Sequence, residues 1–115
     1  MGNERYLRKI YQITEGGDES TTTSELAEEI QVTDASASEA VAKLEEENLV
    51  CRAPYKGFTL SPVGKEKGKK LLEKNQVLQE LFQKIGLETP EKEAEKLEDR
   101  ISQEAAAKIE KELLQ

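Results

Sequence analysis

Tyr6, Leu7, Ile10, Tyr11 and Ile13 recur every three to four positions, which predicts a first helix from Asn3 or Glu4 to about Glu15. Gly16, Gly17 and Asp18 end it, and residues 19–22 form a polar connector. Leu26, Ala27 and Ile30 are then spaced for one buried helix face. Val32 falls in a tight turn, and Ala37, Val41 and Leu44 make a second apolar stripe. Ser24 or Thr23 suits the N-cap of the first of these helices, and Asp34 or Thr33 that of the second. Two short helices joined by a tight turn form the helix-turn-helix pattern, whose second helix is shaped to enter a DNA major groove.

The pattern then changes period. Leu49–Ala53 suits a short strand, Pro54-Tyr55-Lys56-Gly57 supplies turn chemistry, and Phe58-Thr59-Leu60 suits a returning strand. Two short strands with a basic turn, placed just after a recognition helix, make a wing. Cys51 lies in the first strand, where a small buried hydrophobe is its expected role. Ser61-Pro62 reads as N-cap and first position of a long helix that runs to about Ile85, with Gly86 as its stop. Its apolar side is Leu71, Leu72, Val77 or Leu78, Leu81, Phe82 and Ile85. Thr89-Pro90 opens another helix ending near Ile101, and Ser102 recaps a last one through Leu113-Leu114. The predicted fold class is mostly α with a small β wing: a winged helix-turn-helix over 1–62, then a long connecting helix and helical dimerisation domain over 63–115. Leu78, Leu81, Phe82, Ile101, Ile109 and Leu113 exceed what a winged helix can cover, which predicts a homodimer.

Composition narrows the chemistry. The chain has no histidine, which removes the usual general base and the commonest transition-metal ligand but leaves an all-carboxylate site for Mg²⁺, Ca²⁺ or Mn²⁺ open. No paired-carboxylate pocket motif and no glycine-rich phosphate loop stand in for them, so an enzyme is not expected. One cysteine excludes an intrachain disulfide framework and fits a reducing cytoplasm. No apolar run reaches the length of a membrane span, and no membrane partner is expected. The net charge is −7, with 36% of residues charged. The charge is uneven: residues 1–62 carry 12 acids against 6 bases, and residues 63–86 carry 3 acids against 6 bases. Lys65, Lys67, Lys69 and Lys70 therefore concentrate positive charge after the wing, where Arg52 and Lys56 can join them.

At this point the order of elements resembles a known family. Four stretches carry the likeness: Tyr6-Leu7-Arg8-Lys9-Ile10-Tyr11; Glu25-Leu26-Ala27 through Val41-Ala42-Lys43-Leu44; Tyr55 through Lys65; and Leu97-Glu98-Asp99-Arg100-Ile101-Ser102. The chain resembles the iron- and manganese-dependent repressors, the diphtheria toxin repressor-like group, and most closely the short manganese-regulator type. The resemblance implies a dimer whose last helices pair and whose two winged helices read a palindromic operator. It also implies a metal site between the first helix, the long helix and the penultimate helix. The matching positions hold Arg5, Arg8, Asn75, Glu95, Glu98 and Asp99, and second-site positions fall at Gln79 and Glu91. Two arginines replace acidic or soft ligands, and they repel a divalent cation. No cofactor is therefore expected, although the resemblance implies Mn or Fe. Guanidinium groups at Arg5 and Arg8 could instead pair with Glu95, Glu98 and Asp99, which lie at i, i+3 and i+4.

The resemblance and the residues together predict a DNA-binding transcriptional regulator, with double-stranded DNA and a second copy as partners. Candidate DNA contacts are Thr33, Ser36, Ser38, Glu39 and Lys43 on the second helix of the motif, Arg52, Tyr55 and Lys56 in the wing, and Lys65. None of the early recognition-helix residues is Arg, Gln or Asn, the strongest base readers. The alternative is a winged-helix protein-interaction module with little or no DNA binding, favoured by the acid excess over residues 1–62.

Overall fold

The computed structural model describes residues 3–53 and 57–114. They form α1 (Asn3–Ile13), α2 (Thr23–Ile30), α3 (Asp34–Glu46), β1 (Val50–Ala53), β2 (Gly57–Leu60), α4 (Pro62–Lys84), α5 (Pro90–Leu97) and α6 (Gln103–Leu113). Contacts divide the chain into two units, one up to Lys69 and one from Lys70, so the division falls inside α4.

In the first unit the apolar stripes of the sequence become one core. Leu7, Ile10, Leu26, Ile30, Val41 and Leu44 are all buried, and Phe58 is fully so. The first helix is two residues shorter than its pattern predicts. It stops at Ile13 because Glu15, Gly16 and Gly17 all take positive φ, at 49°, 76° and 93°. The buried Thr14 hydroxyl closes that end, donating to the Ile10 carbonyl at 2.6 Å and accepting from Gly17 N–H at 3.1 Å.

The wing is a two-stranded antiparallel sheet with Val50 opposite Leu60 and Arg52 opposite Phe58. Thr21 adds a third partner: its N–H and C=O both bond to Phe58, each at 2.9 Å. That bridge requires glycine at 57. Gly57 has φ +85°, and a Cβ there would stand 2.0 Å from the Thr21 carbonyl oxygen. Cys51 is exposed, not buried. Pleating turns Val50 and Leu60 inward, and the side chain between Val50 and Arg52 is left on the outer face.

Ser61 starts α4 as its sequence predicts. Its hydroxyl accepts from Gly64 N–H at 3.0 Å and donates to the Asn48 carbonyl at 2.6 Å. Gly64 is the second glycine with a steric reason, because a Cβ would meet the Leu49 carbonyl oxygen at 1.9 Å.

In the second unit, Gly86 at φ +86° terminates α4, and Leu87 N–H returns to the Phe82 carbonyl at 3.0 Å. Pro90 opens α5. That helix ends at Leu97 rather than near Ile101. The chain turns there because Arg100 and Ile101 both bond back to the Leu97 carbonyl, and Lys74 Nζ donates to the Ile101 carbonyl at 2.8 Å. Ser102 then caps α6 by accepting from Ala105 N–H at 3.0 Å. Among the described residues no helix is long and apolar enough to cross a membrane.

The Gly64 contact generates a prediction. Gly64→Ala forces the start of α4 away from Leu49 and costs about 3 kcal/mol. Urea denaturation checks it: the midpoint falls while the slope stays unchanged.

Candidate nucleic-acid interface

The helix-turn-helix is built by local chemistry. Thr21 is held by its bridge to Phe58, so Thr22 is the first residue free to turn into α2. It is the N-cap, one residue before the earlier of the two predicted positions, and its hydroxyl accepts from Glu25 N–H at 3.2 Å. The turn rests on Gln31 in the left-handed region at φ 62°, with its N–H directed back to the Ala27 and Glu28 carbonyls. Val32 N–H adds a 3.0 Å bond to the Ala27 carbonyl. Thr33 then caps α3, accepting from Ser36 N–H at 3.1 Å.

Burial of Ala37, Ala40, Val41 and Leu44 fixes which face of α3 looks outward. Ser36, Ser38, Glu39 and Lys43 are all exposed. The hydrogen bonds separate them. The Thr33 hydroxyl also donates to Ser36 Oγ at 3.0 Å, so this pair serves the helix start. Arg52 is exposed on β1, and its Nε pairs with Glu45 Oε1 of α3 at 3.3 Å. Nothing in the spacing of Glu45 and Arg52 announces that contact; only the strand's return along the helix creates it. Lys65 is exposed in the first turn of α4. Tyr55 and Lys56 lie outside the described residues.

Acidic groups stand beside the wing. Thr59 Oγ1 of β2 donates to the Gly17 and Glu19 carbonyls at 3.1 and 2.8 Å, which fastens the Glu15–Glu19 loop to the wing. A hydrogen bond to Glu15, together with that neighbour's charge and partial desolvation, raises the Glu19 carboxyl above its ordinary range, with Asp18 adding to the effect.

The positions that the resemblance assigns to metal are placed as follows. In the first unit, Arg5 Nη2 donates to the Ile30 carbonyl at 3.2 Å, and the buried Arg8 donates from Nη1 to Gln12 Oε1 at 2.8 Å. In the second unit, Asn75 and Glu98 are both 1% exposed. Asn75 Nδ2 donates to Glu98 Oε2 at 2.7 Å, and Asn75 Oδ1 accepts from Gln79 Nε2 at 2.6 Å. An amide that points its N–H at the carboxylate offers a cation no lone pair there. Glu95 and Asp99 are half-buried, and Glu91 is exposed. Among the described residues, no group of three or more His, Cys, Asp or Glu side chains could hold a metal ion. The residues at these positions do not fit a divalent cation.

The predicted dimer contacts divide by burial. Leu78 is 1% exposed and belongs to the chain's own interior, so it has no surface to offer a partner. Leu81, Phe82, Ile101 and Ile109 are half-buried, and Leu113 is exposed. Sequence reasoning missed Ile85, Leu87 and Leu97 as interface candidates, all of them exposed large apolar residues of the same unit. Their signal was their position at the ends of helices: Ile85 and Leu87 just beyond α4, on either side of Gly86, and Leu97 as the last residue of α5.

A helix-turn-helix with a wing, followed by a separate helical unit, defines the class. Comparison with known proteins gives the family. The model described as "Iron dependent repressor, N-terminal DNA binding domain" matches residues 2–58. The model described as "Iron dependent repressor, metal binding and dimerisation domain" matches residues 61–115. The chain belongs to the iron-dependent repressor family. It is 31% identical over 86 residues to the HTH-type transcriptional regulator MntR of Listeria welshimeri, covering 75% of this chain and 60% of that relative. The structure of the manganese regulator SloR superposes with a TM-score of 0.84 at 29% identity, over 97% of this chain and 53% of that one. A manganese-dependent transcriptional repressor in complex with manganese gives a TM-score of 0.82 at 29% identity, over 96% and 52%. The chain thus spans between half and two thirds of the length of these relatives.

These matches correct one expectation. The absence of a cofactor, read from the missing histidines and the two arginines, is overturned: the matched family is described as metal-binding, and a manganese-bound structure stands among the chain's neighbours.

The hydrogen-bonded set in the second unit yields a ranked prediction. Asn75→Ala removes a buried bond to a carboxylate and costs about 2 kcal/mol. Arg52→Ala breaks an exposed pair and costs about 0–1 kcal/mol. Urea midpoints of the two variants check the order.

Proposed function

We propose that this chain is a DNA-binding transcriptional regulator that acts as a homodimer on a palindromic operator. The carrying observation is α3 itself: its apolar face is buried, its polar face is open, and a wing follows it directly. The match to a DNA-binding domain over residues 2–58 supports the same reading. Ser38, Glu39 and Lys43 of α3 are the base- and phosphate-facing groups, and Lys65 contacts phosphate. Arg52 contributes once it leaves Glu45, which costs little for a pair this exposed.

Dimerisation is supported by Leu81, Phe82, Ile85, Leu87, Leu97 and Leu113, which leave an unusual amount of apolar surface for so small a unit. A two-fold dimer reads two half-sites in opposite orientation, so its operator is palindromic. A second reading has one observation in its favour: the Glu15–Glu19 loop fastened beside the wing, which suits a basic protein partner better than phosphate. DNA binding measured across salt concentrations separates the two. The regulator binds duplex DNA with a steep inverse salt dependence, and the interaction module does not.

We also propose that Asn75, Glu98 and Gln79 fasten α4 to the end of α5 rather than ligate a cation. Calorimetric titration with Mn²⁺ tests this, because the heat is expected to be the same before and after Glu98→Gln. A Mn²⁺ signal lost on that change would return these positions to the metal.

Two further outcomes are expected. Light scattering at tens of micromolar gives twice the 12.9 kDa chain mass, and Leu81→Asp reduces it to one chain. Lys43→Ala and Lys65→Ala each lower the salt slope of DNA binding by about one and weaken all sequences alike; fluorescence anisotropy at several salt concentrations measures it.

A further inference from the structure

The outward row of α3 is unusual in composition, and the structure narrows it to a few groups. Burial of Ala37, Ala40, Val41 and Leu44 places Glu39 near the middle of the opposite face. Ala35 stands four residues before it and Ala42 three residues after it, so both share its face. All three are exposed. Glu39 makes no hydrogen bond or ion pair among the described residues. Thr33 and Ser36 are engaged with each other at the cap, and Arg52 is held by Glu45. The open face thus presents a methyl, a carboxylate and a methyl in line.

Base edges in the major groove are chemically distinct. A carboxylate has no proton to give, so it can be satisfied only by a donor: the N4 amino group of cytosine is its usual partner. Guanine N7 and O6 and thymine O4 are acceptors and repel it. Alanine methyls meet the C5-methyl of thymine. A lone carboxylate carried into a groove lined with phosphates is costly unless a base repays it, so its placement at the centre of the face demands a specific partner.

We propose that Glu39 is the specificity-determining residue of α3, accepting from the N4 amino group of one cytosine in each half-site, with Ala35 and Ala42 against thymine methyls on either side. This rests on the DNA-binding reading above. Glu39 discriminates mainly by rejection: guanine and thymine offer it only acceptors, and adenine sets its N7 acceptor beside the N6 donor.

The test is selection from a randomised duplex library by the full chain, with Glu39→Gln and Glu39→Ala selected in parallel. Glu39 is exposed and unpaired, so both variants keep the fold, and far-ultraviolet circular dichroism confirms it. The wild type is expected to select cytosine at one position per half-site. Replacing that cytosine lowers affinity roughly five- to hundredfold. Glu39→Gln shifts the position towards adenine, whose N6 and N7 match an amide. Deoxyuridine in place of the flanking thymines weakens wild-type binding, because only the methyl group is lost. A selected motif that is the same for the wild type and Glu39→Gln overturns the assignment. So does Glu39→Ala binding every sequence more tightly by one common factor, which would make Glu39 a source of repulsion only. Retention of no duplex by any of the three proteins overturns the DNA-binding reading, and this assignment with it.

Discussion

The first unit depends on one junction, where the end of α3, the start of β1 and the start of α4 meet. Asn48 sits in the left-handed region at φ 62°, which turns the chain out of α3. Its carbonyl receives the Ser61 hydroxyl at 2.6 Å, and the neighbouring Leu49 carbonyl receives Ser61 N–H at 3.0 Å. The same hydroxyl accepts from Gly64 N–H, so one side chain caps α4 and ties it to the exit of α3. Gly64 lets the helix come close enough for this, where any Cβ would collide with Leu49. Hydrogen bonds at the exit of α3 therefore help to set the angle at which β1 and α4 leave the helix. A face built on such a junction holds its side chains on rigid elements, as positioning for recognition requires.

That rigidity bears on how a net-negative chain can meet DNA. The first unit has twice as many acids as bases up to residue 62, yet affinity depends on where charges stand. Within the unit, Glu45 neutralises Arg52 in the free protein, and the Glu15–Glu19 loop is held against β2 by the Thr59 hydroxyl. On the DNA-binding reading proposed above, both features lower non-specific attraction. A weak phosphate term makes the base contacts decide more of the total, so low intrinsic affinity and high dependence on sequence go together.

Much of this was legible in the chain because it is local. The stripes of α2 and α3, the Thr33 cap, the Ser61-Pro62 entry and the Gly86 stop each depend on residues within a few positions of one another. What was missed depends on partners far apart in sequence. Thr22 caps α2 instead of Thr23 or Ser24 because Phe58 pins Thr21. Cys51 is exposed because the strand is short and its inner face is taken by Val50. Leu78 is interior although its spacing matches that of Leu81 and Phe82, because only the return of α5 and α6 decides which side of α4 is covered. Glu98 reads as a surface charge on periodicity alone and is buried with Asn75. Nothing local distinguishes it from Glu95, three residues away.

The cofactor expectation failed for a different physical reason. Counting histidines bounds the softness of a metal site, since imidazole and thiolate select the later transition metals. It does not bound oxygen ligation, and residues 87–115 carry 9 acids. Mn²⁺ is well served by carboxylates and carbonyls. Arg5 and Arg8 speak only for the positions they occupy: a guanidinium repels a cation within a few ångströms and is screened beyond roughly 8–10 Å at physiological salt. Arg5 and Arg8 therefore bear on one set of positions and not on the rest of the chain. Within the second unit the same limit applies to Asn75, Gln79 and Glu98: their hydrogen bonds at 2.7 and 2.6 Å turn the Asn75 amide towards the carboxylate and bear on those positions alone.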